Sequence, residues 1–182
     1  MSLFRQWAFI VKEAQDVGFM LAKFCCVLHV TTTYVCSTGL VQGPSMLPTF
    51  GISNEIVLFE RISTRRGKAG PGDVVIIQSP ENPRKHVTKR IIGTEGDTVT
   101  YVVDPKHSDR TETIVVPKGH VWVEGDNIYM SKDSRKFGPI PYGLLHGRVF
   151  WKIWPAGVFG SIGSRPEAVD PALKAVEQSN HT

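Results

Sequence analysis

Two residues of this chain have the types and settings for covalent chemistry, Ser45 and Lys89. Ser45 lies in Gln42-Gly43-Pro44-Ser45-Met46-Leu47-Pro48-Thr49. Pro44 and Pro48 each lack an amide donor and restrict the residue before them, so the stretch reads as a stiff, extended turn without helix options. Gly43 lets the backbone make a tight approach. A hydroxyl on such a mount suits a nucleophile, yet most turn serines are merely solvated, and the octapeptide alone decides nothing. In Val87-Thr88-Lys89-Arg90-Ile91-Ile92-Gly93, alternation places Val87, Lys89 and Ile91 on one strand face. Lys89 is thus a cation on an apolar face. Most such lysines lay the stem along apolar surface and reach water with the head. A desolvated amine behaves differently: its pKa falls until it is neutral near pH 7. A neutral amine can take the Ser45 proton as the hydroxyl attacks a carbonyl. Serine–lysine pairs are an attested variant of the serine–histidine–aspartate scheme.

A third polar stretch runs from Gly125-Asp126-Asn127 through Ser131-Lys132-Asp133-Ser134-Arg135 to Phe137-Gly138-Pro139. A serine hydroxyl here can bond the amine and orient it. Asp133 and Arg135 can pair across the loop base. As a surface pair they would add only about 0–1 kcal/mol, so their expected role is positioning. Asp126 has the type of a triad acid, but no histidine box accompanies it. His86, His107, His120 and His146 are far apart with no ligand spacing, so neither metal nor cofactor is expected.

The elements that must position these groups follow from patterning. From Phe24 to Asn54 there is no Asp, Glu, Lys or Arg, and apolar density peaks between Val17 and Val41. A hydrocarbon-crossing helix needs about 20 mostly apolar residues, which this segment provides. The competing reading is a buried helix of a soluble domain. Residues 1–41 are read as an N-terminal segment with one membrane-spanning helix, 42–160 as a catalytic domain, and 161–182 as a flexible tail with a short helix around Pro171–Gln178. Arg5, Lys12 and Lys23 precede the span and the next basic residue is Arg61, which puts the N-terminus on the inner side. After Ser45 the pattern turns to β: runs at Glu55–Phe59, Asp73–Gln78, His86–Gly93, Thr98–Val102, Thr113–Val116, His120–Glu124 and Gly147–Trp154. Arg61 to Gly72 reads as a basic, Gly-rich loop. Short strands broken by Gly and Pro argue a mainly β fold, an antiparallel, barrel-like sheet behind an N-terminal membrane helix. The 182 residues carry a net charge of +4 without a basic run or nucleic-acid motif, which favours membrane lipid over nucleic acid as partner. The three cysteines, Cys25, Cys26 and Cys36, lie in the apolar region and form no disulfide framework.

The three boxes, Gly-Pro-Ser45-Met-Leu-Pro-Thr, Lys89-Arg-Ile-Ile-Gly, and Gly125-Asp-Asn with Ser-x-Asp-Ser-Arg and Phe-Gly-Pro, together resemble the type I signal peptidases from about Val41 to Trp154. That resemblance implies Ser45 as nucleophile, Lys89 as general base and Ser131 as the hydroxyl orienting Lys89. It makes Asp133 and Arg135 a structural pair, with Met46, Pro48 and Thr49 shaping the nucleophile turn. It also implies a mainly β catalytic domain on a membrane surface and precursor proteins as substrates. Many bacterial members carry a hydroxyl residue two positions before the nucleophile as an oxyanion donor; here Gly43 stands there. Gly43-Pro44, the single span, the absence of a large inserted domain and the ending Phe150-Trp-Lys-Ile-Trp-Pro155 are similar to the mitochondrial inner-membrane subunit 1 branch. This further implies a catalytic domain in the intermembrane space, an N-terminus in the matrix, and a related second subunit. The alternatives are a bacterial-type signal peptidase at a plasma membrane and a non-catalytic scaffold subunit anchored in the membrane. The self-cleaving repressors share the Ser–Lys pair, but the DNA-binding helix-turn-helix they need is missing from this sequence.

Overall fold

The computed structural model describes residues 2–106 and 110–162. The expected helix near Pro171 and the tail from residue 163 lie outside the described residues. The chain opens with helix α1 (Ser2–Val30), which passes through a wider π turn (Thr31–Val35) into strand β1 (Cys36–Val41). Residues 36–41, grouped above with the apolar N-terminal segment, are therefore part of the sheet. Ile10–Val35 has a mean hydropathy of 1.3 and is long and apolar enough to cross a membrane. Its large apolar side chains stand exposed among the described residues: Phe19 is 68% and Phe24 63% exposed. That is the opposite of a soluble core helix, whose apolar stripe would be covered.

The sheet is built from β1, β2 (Glu55–Glu60), β3 (Val74–Gln78), β4 (His86–Thr94), β7 (His120–Glu124), β8 (Ile140–Pro141) and β9 (Leu145–Trp154), with β10 (Gly160–Ser161) added to β9. A separate hairpin pairs β5 (Thr98–Val102) with β6 (Thr111–Val115). Strand order in the large sheet is β1-β2-β9-β3-β4-β7-β8, antiparallel throughout. The sheet curls into a half-barrel, and register shifts at Ile56/Val57, Leu58/Phe59, Ile76/Ile77 and Ile91/Gly93 mark bulges where strands bend. The central strand β3 is buried on both faces. Val74 and Ile76 join Met46, Phe50, Val57 and Val149 in one core cluster, while Val75 and Ile77 join Ile91, Val121 and Val123 in another. This explains its unbroken β-branched run, since a strand covered on both faces does not alternate.

Two short helices replace expected loops. α2 (Ile62–Arg65) opens the basic loop, and α3 (Ser134–Phe137) closes the third polar stretch. Each has only 4 residues, too few for an amphipathic period to register in sequence.

Candidate active site

Ser45 lies in a single 3-10 turn, Pro44–Met46, and not in the extended turn the two prolines suggested. Pro44 is at the first position of that turn, where its fixed φ is favourable and its missing N–H costs nothing. Gly43 enters with φ 102°, in the region that side-chain-bearing residues avoid. A Cβ at Gly43 would meet nothing within 4 Å, so the dihedral, not a close approach, requires glycine. Met46 is 1% exposed and pins the turn into the core beside Val41 and Phe50, whereas Pro48 is exposed after a cis Leu47–Pro48 bond.

The turn packs on β4 and is gripped by the loop after β7. The Asn127 backbone N–H donates to the Ser45 carbonyl at 3.1 Å, and its side-chain Nδ2 donates to the Pro44 carbonyl at 3.1 Å. Gly125 lies between the two serines. A Cβ there would collide with the Ser131 hydroxyl on one side and the Ser45 carbonyl on the other. This is a close approach that demands glycine, and it brings the Ser45 carbonyl and the Ser131 side chain to the same point of the backbone.

Lys89 reaches this place from β4. Its register partner is Val75, and it shares a face with Ile91, as alternation required. It is 2% exposed, so the reading of a stem with its head in water does not hold. Its Nζ donates to Ser131 Oγ at 2.9 Å. Burial drives its pKa down from 10.5 to about 8. Asp133 and Asp126 pull the other way at longer range, and Arg135 pushes with burial.

Ser131 also lies by the Asp133 carboxylate, whose charged form its hydroxyl favours. Asp133 caps α3 through the Arg135 N–H, accepts the Gly125 N–H at 2.8 Å, and takes a two-pronged grip from Arg135, Nε at 2.9 Å and Nη2 at 2.7 Å. Burial alone would raise this carboxyl, but the Arg135, Gly125 and Ser131 bonds hold it below its usual value. The pair was expected at the surface. Asp133 is instead fully buried, so it belongs to the class in which loss of one partner costs about 3–5 kcal/mol.

A second network was not foreseen. Arg90 points to the opposite face of β4 from Lys89 and grips Asp126 with Nε and Nη2, each at 2.8 Å, while Nη1 donates to the Gly72 carbonyl at 2.8 Å. The Thr49 hydroxyl donates to Asp126 at 2.5 Å and accepts from Arg90 at 3.2 Å. The Ser45 turn is thereby tied at Thr49 as well as at Pro44 and Ser45. The alternation that sent Lys89 to one face implied Arg90 on the other, and that was the available signal. Among the described residues no group of three or more His, Cys, Asp or Glu is placed to hold a metal. His107 lies outside the described residues.

Residues 14–107 and 102–154 match the family described as signal peptidase, peptidase S26. The chain belongs to that family. It is a signal peptidase I-type serine endopeptidase with a candidate membrane span near its N-terminus. Among curated relatives, it is 49% identical over 162 residues to the mitochondrial ATP-independent inner membrane protease subunit 1a of Arabidopsis thaliana, covering 89% of this chain and 96% of that one. To mitochondrial inner membrane protease subunit 1 of Homo sapiens it is 41% identical over 155 residues, covering 85% and 91%. To subunit 2 of that protease from Danio rerio it is 36% identical, covering 74% and 67%. Relatives of this signal peptidase thus include both subunits of one protease.

Proposed function

We propose that this signal peptidase acts at the mitochondrial inner membrane, cutting targeting segments from precursor proteins with Ser45 as nucleophile and Lys89 as general base. The observation that carries the roles is the buried amine of Lys89 on the Ser131 hydroxyl, across Gly125 from Ser45. Ser131 accepts an N–H from Lys89. A neutral amine has two N–H groups and one lone pair. With an N–H held by Ser131, the lone pair is left to take the Ser45 proton. Ser45 Oγ then bonds the scissile carbonyl carbon, the ammonium protonates the leaving amine, and water releases the acyl group by the same route in reverse. Gly43 supplies no hydroxyl, so the developing oxyanion is assigned to main-chain donors at the Ser45 turn, preorganised by Asn127 and Thr49.

The location and a related second subunit as partner are supported by the relatives, which are named for the mitochondrial inner membrane and include subunit 2. Arg5, Lys12 and Lys23 before the span favour an N-terminus in the matrix and a catalytic sheet in the intermembrane space. Residues 42–160 are proposed as the catalytic domain, extended backwards by β1. The Ser45, Lys89 and Ser131 arrangement argues against a non-catalytic scaffold.

The test is cleavage of a presequence-bearing precursor by the parent chain and by Ser45→Ala and Lys89→Ala. Activity in the parent and loss in both variants is the expected result; variants that cut like the parent would end the proposal. Protection of the sheet from added protease in sealed mitoplasts would contradict the orientation.

A further inference from the structure

Apart from the Gly72 carbonyl that Arg90 Nη1 reaches, the basic loop from Arg61 to Gly72 plays no part in the site above. Its first residues are fastened to the end of the apolar helix. The Arg61 N–H donates to the Val35 carbonyl at 3.0 Å, and its guanidinium donates to the Thr33 carbonyl. Arg65 Nη1 donates to the Tyr34 carbonyl at 3.4 Å, with its guanidinium 5.4 Å over the Tyr34 ring. These carbonyls belong to the last turn of the span, where a helix leaves acceptors without intrahelical partners and where cations meet the negative end of its dipole. Tyr34 is 53% exposed at that end, a ring with a polar tip of the kind found at headgroup level.

Beyond the clamp, Arg65, Arg66 and Lys68 are all exposed, and no acidic residue occurs from Arg61 to Gly72. The carboxylates that flank the loop in sequence are engaged by other groups: Glu60 bonds Arg148 and the Ser63 N–H, and Asp73 bonds the Gly70 N–H and faces Arg148.

We propose that Arg65, Arg66 and Lys68 form a docking surface for the anionic phospholipid headgroups of the leaflet from which the span emerges, setting the height and tilt of the catalytic sheet over the bilayer. This rests on reading Ile10–Val35 as a membrane span. The occupant is lipid because Arg61 and Arg65 fasten this loop to the last turn of the span, so the exposed Arg66 and Lys68 that follow within three residues of Arg65 are carried where headgroups are. Each cation near such a surface strengthens partitioning roughly fivefold, and the effect fades over a Debye length of ~8 Å at physiological salt.

The test reconstitutes the full chain in vesicles of phosphatidylcholine, alone or mixed with phosphatidylglycerol, and follows amide hydrogen exchange over residues 62–68. Exchange should slow several-fold in the mixed vesicles, and high salt should remove the difference. The double variant Arg66→Glu, Lys68→Glu should lose the difference while β3 keeps its protection. Equal exchange of the parent in both vesicles would overturn the proposal, as would an undiminished difference in the double variant. Release of the chain from both vesicles by alkaline wash would instead overturn the spanning reading, and the lipid surface with it.

Discussion

Lys89 and Arg90 are adjacent on β4 and 2% and 1% exposed, yet their surroundings are opposite in kind. Arg90 meets a carboxylate head-on, and its remaining donors find the Gly72 carbonyl and Thr49. Its charge is matched where it lies, so it ties the Ser45 turn to the loop after β7. Lys89 is bonded to a hydroxyl, and the carboxylates that feel it, Asp133 and Asp126, are each engaged by an arginine. Without a counter-ion in contact, burial costs the ammonium more than the amine. The comparison teaches that burial alone does not make a functional cation; what the head group meets decides whether it stays charged and structural or becomes neutral and basic.

The sharpest way to break this contrast is to remove each head group in turn. Lys89→Met should cut precursor cleavage by about 10²–10⁴-fold, the range for a general base, while the fold stays at least as stable. Arg90→Met should destabilise by about 3–5 kcal/mol, because Asp126 is left buried and unpaired. Denaturant unfolding beside precursor cleavage checks both. Equal stability losses in the two variants would mean that Lys89 is also a structural cation.

A second prediction concerns stability against pH. The unfolded chain holds the Lys89 proton up to about pH 10.5 and the folded chain only up to about 8, so folding is disfavoured below 8. Stability should rise between those values by up to about 3 kcal/mol from this group, and Lys89→Met should lack that rise. Unfolding midpoints across the range measure it.

Ser131→Ala sharpens the comparison with a smaller effect. Losing the bond that holds the neutral amine should lower the plateau rate by up to about tenfold, the upper worth of one neutral hydrogen bond. The same bond favours the charged amine, so the inflection of the rate profile should move below that of the parent. A rate loss without that movement would assign Ser131 to loop structure only.

Much of this was readable before any coordinates, and the exceptions have physical causes. The Thr98–Val102 and His120–Glu124 runs are strands with the same ends as expected, because alternation and flanking turn residues agree there. Lys89 was placed by alternation alone. β1 was absorbed into the apolar segment before it, since a short apolar run reads equally as buried strand or helix. The burial of Asp133 depends on its capping α3 and bonding Gly125, and neither contact leaves a periodic trace. The Arg90–Asp126–Thr49 network joins residues up to 77 apart, a closeness only the folded sheet creates. Gly125 was recognised within its box, but its reason, two serines pressed against one backbone, is a fact of packing.

The most direct test of a neutral Lys89 acting on Ser45 is the pH dependence of kcat/KM for precursor cleavage by the full-length chain. The account predicts a rising limb with its inflection at about 8, above which the free amine is the dominant form. A rate that stays flat from pH 7 to 9.5, or rises only near the ordinary lysine value of about 10.4, would contradict it.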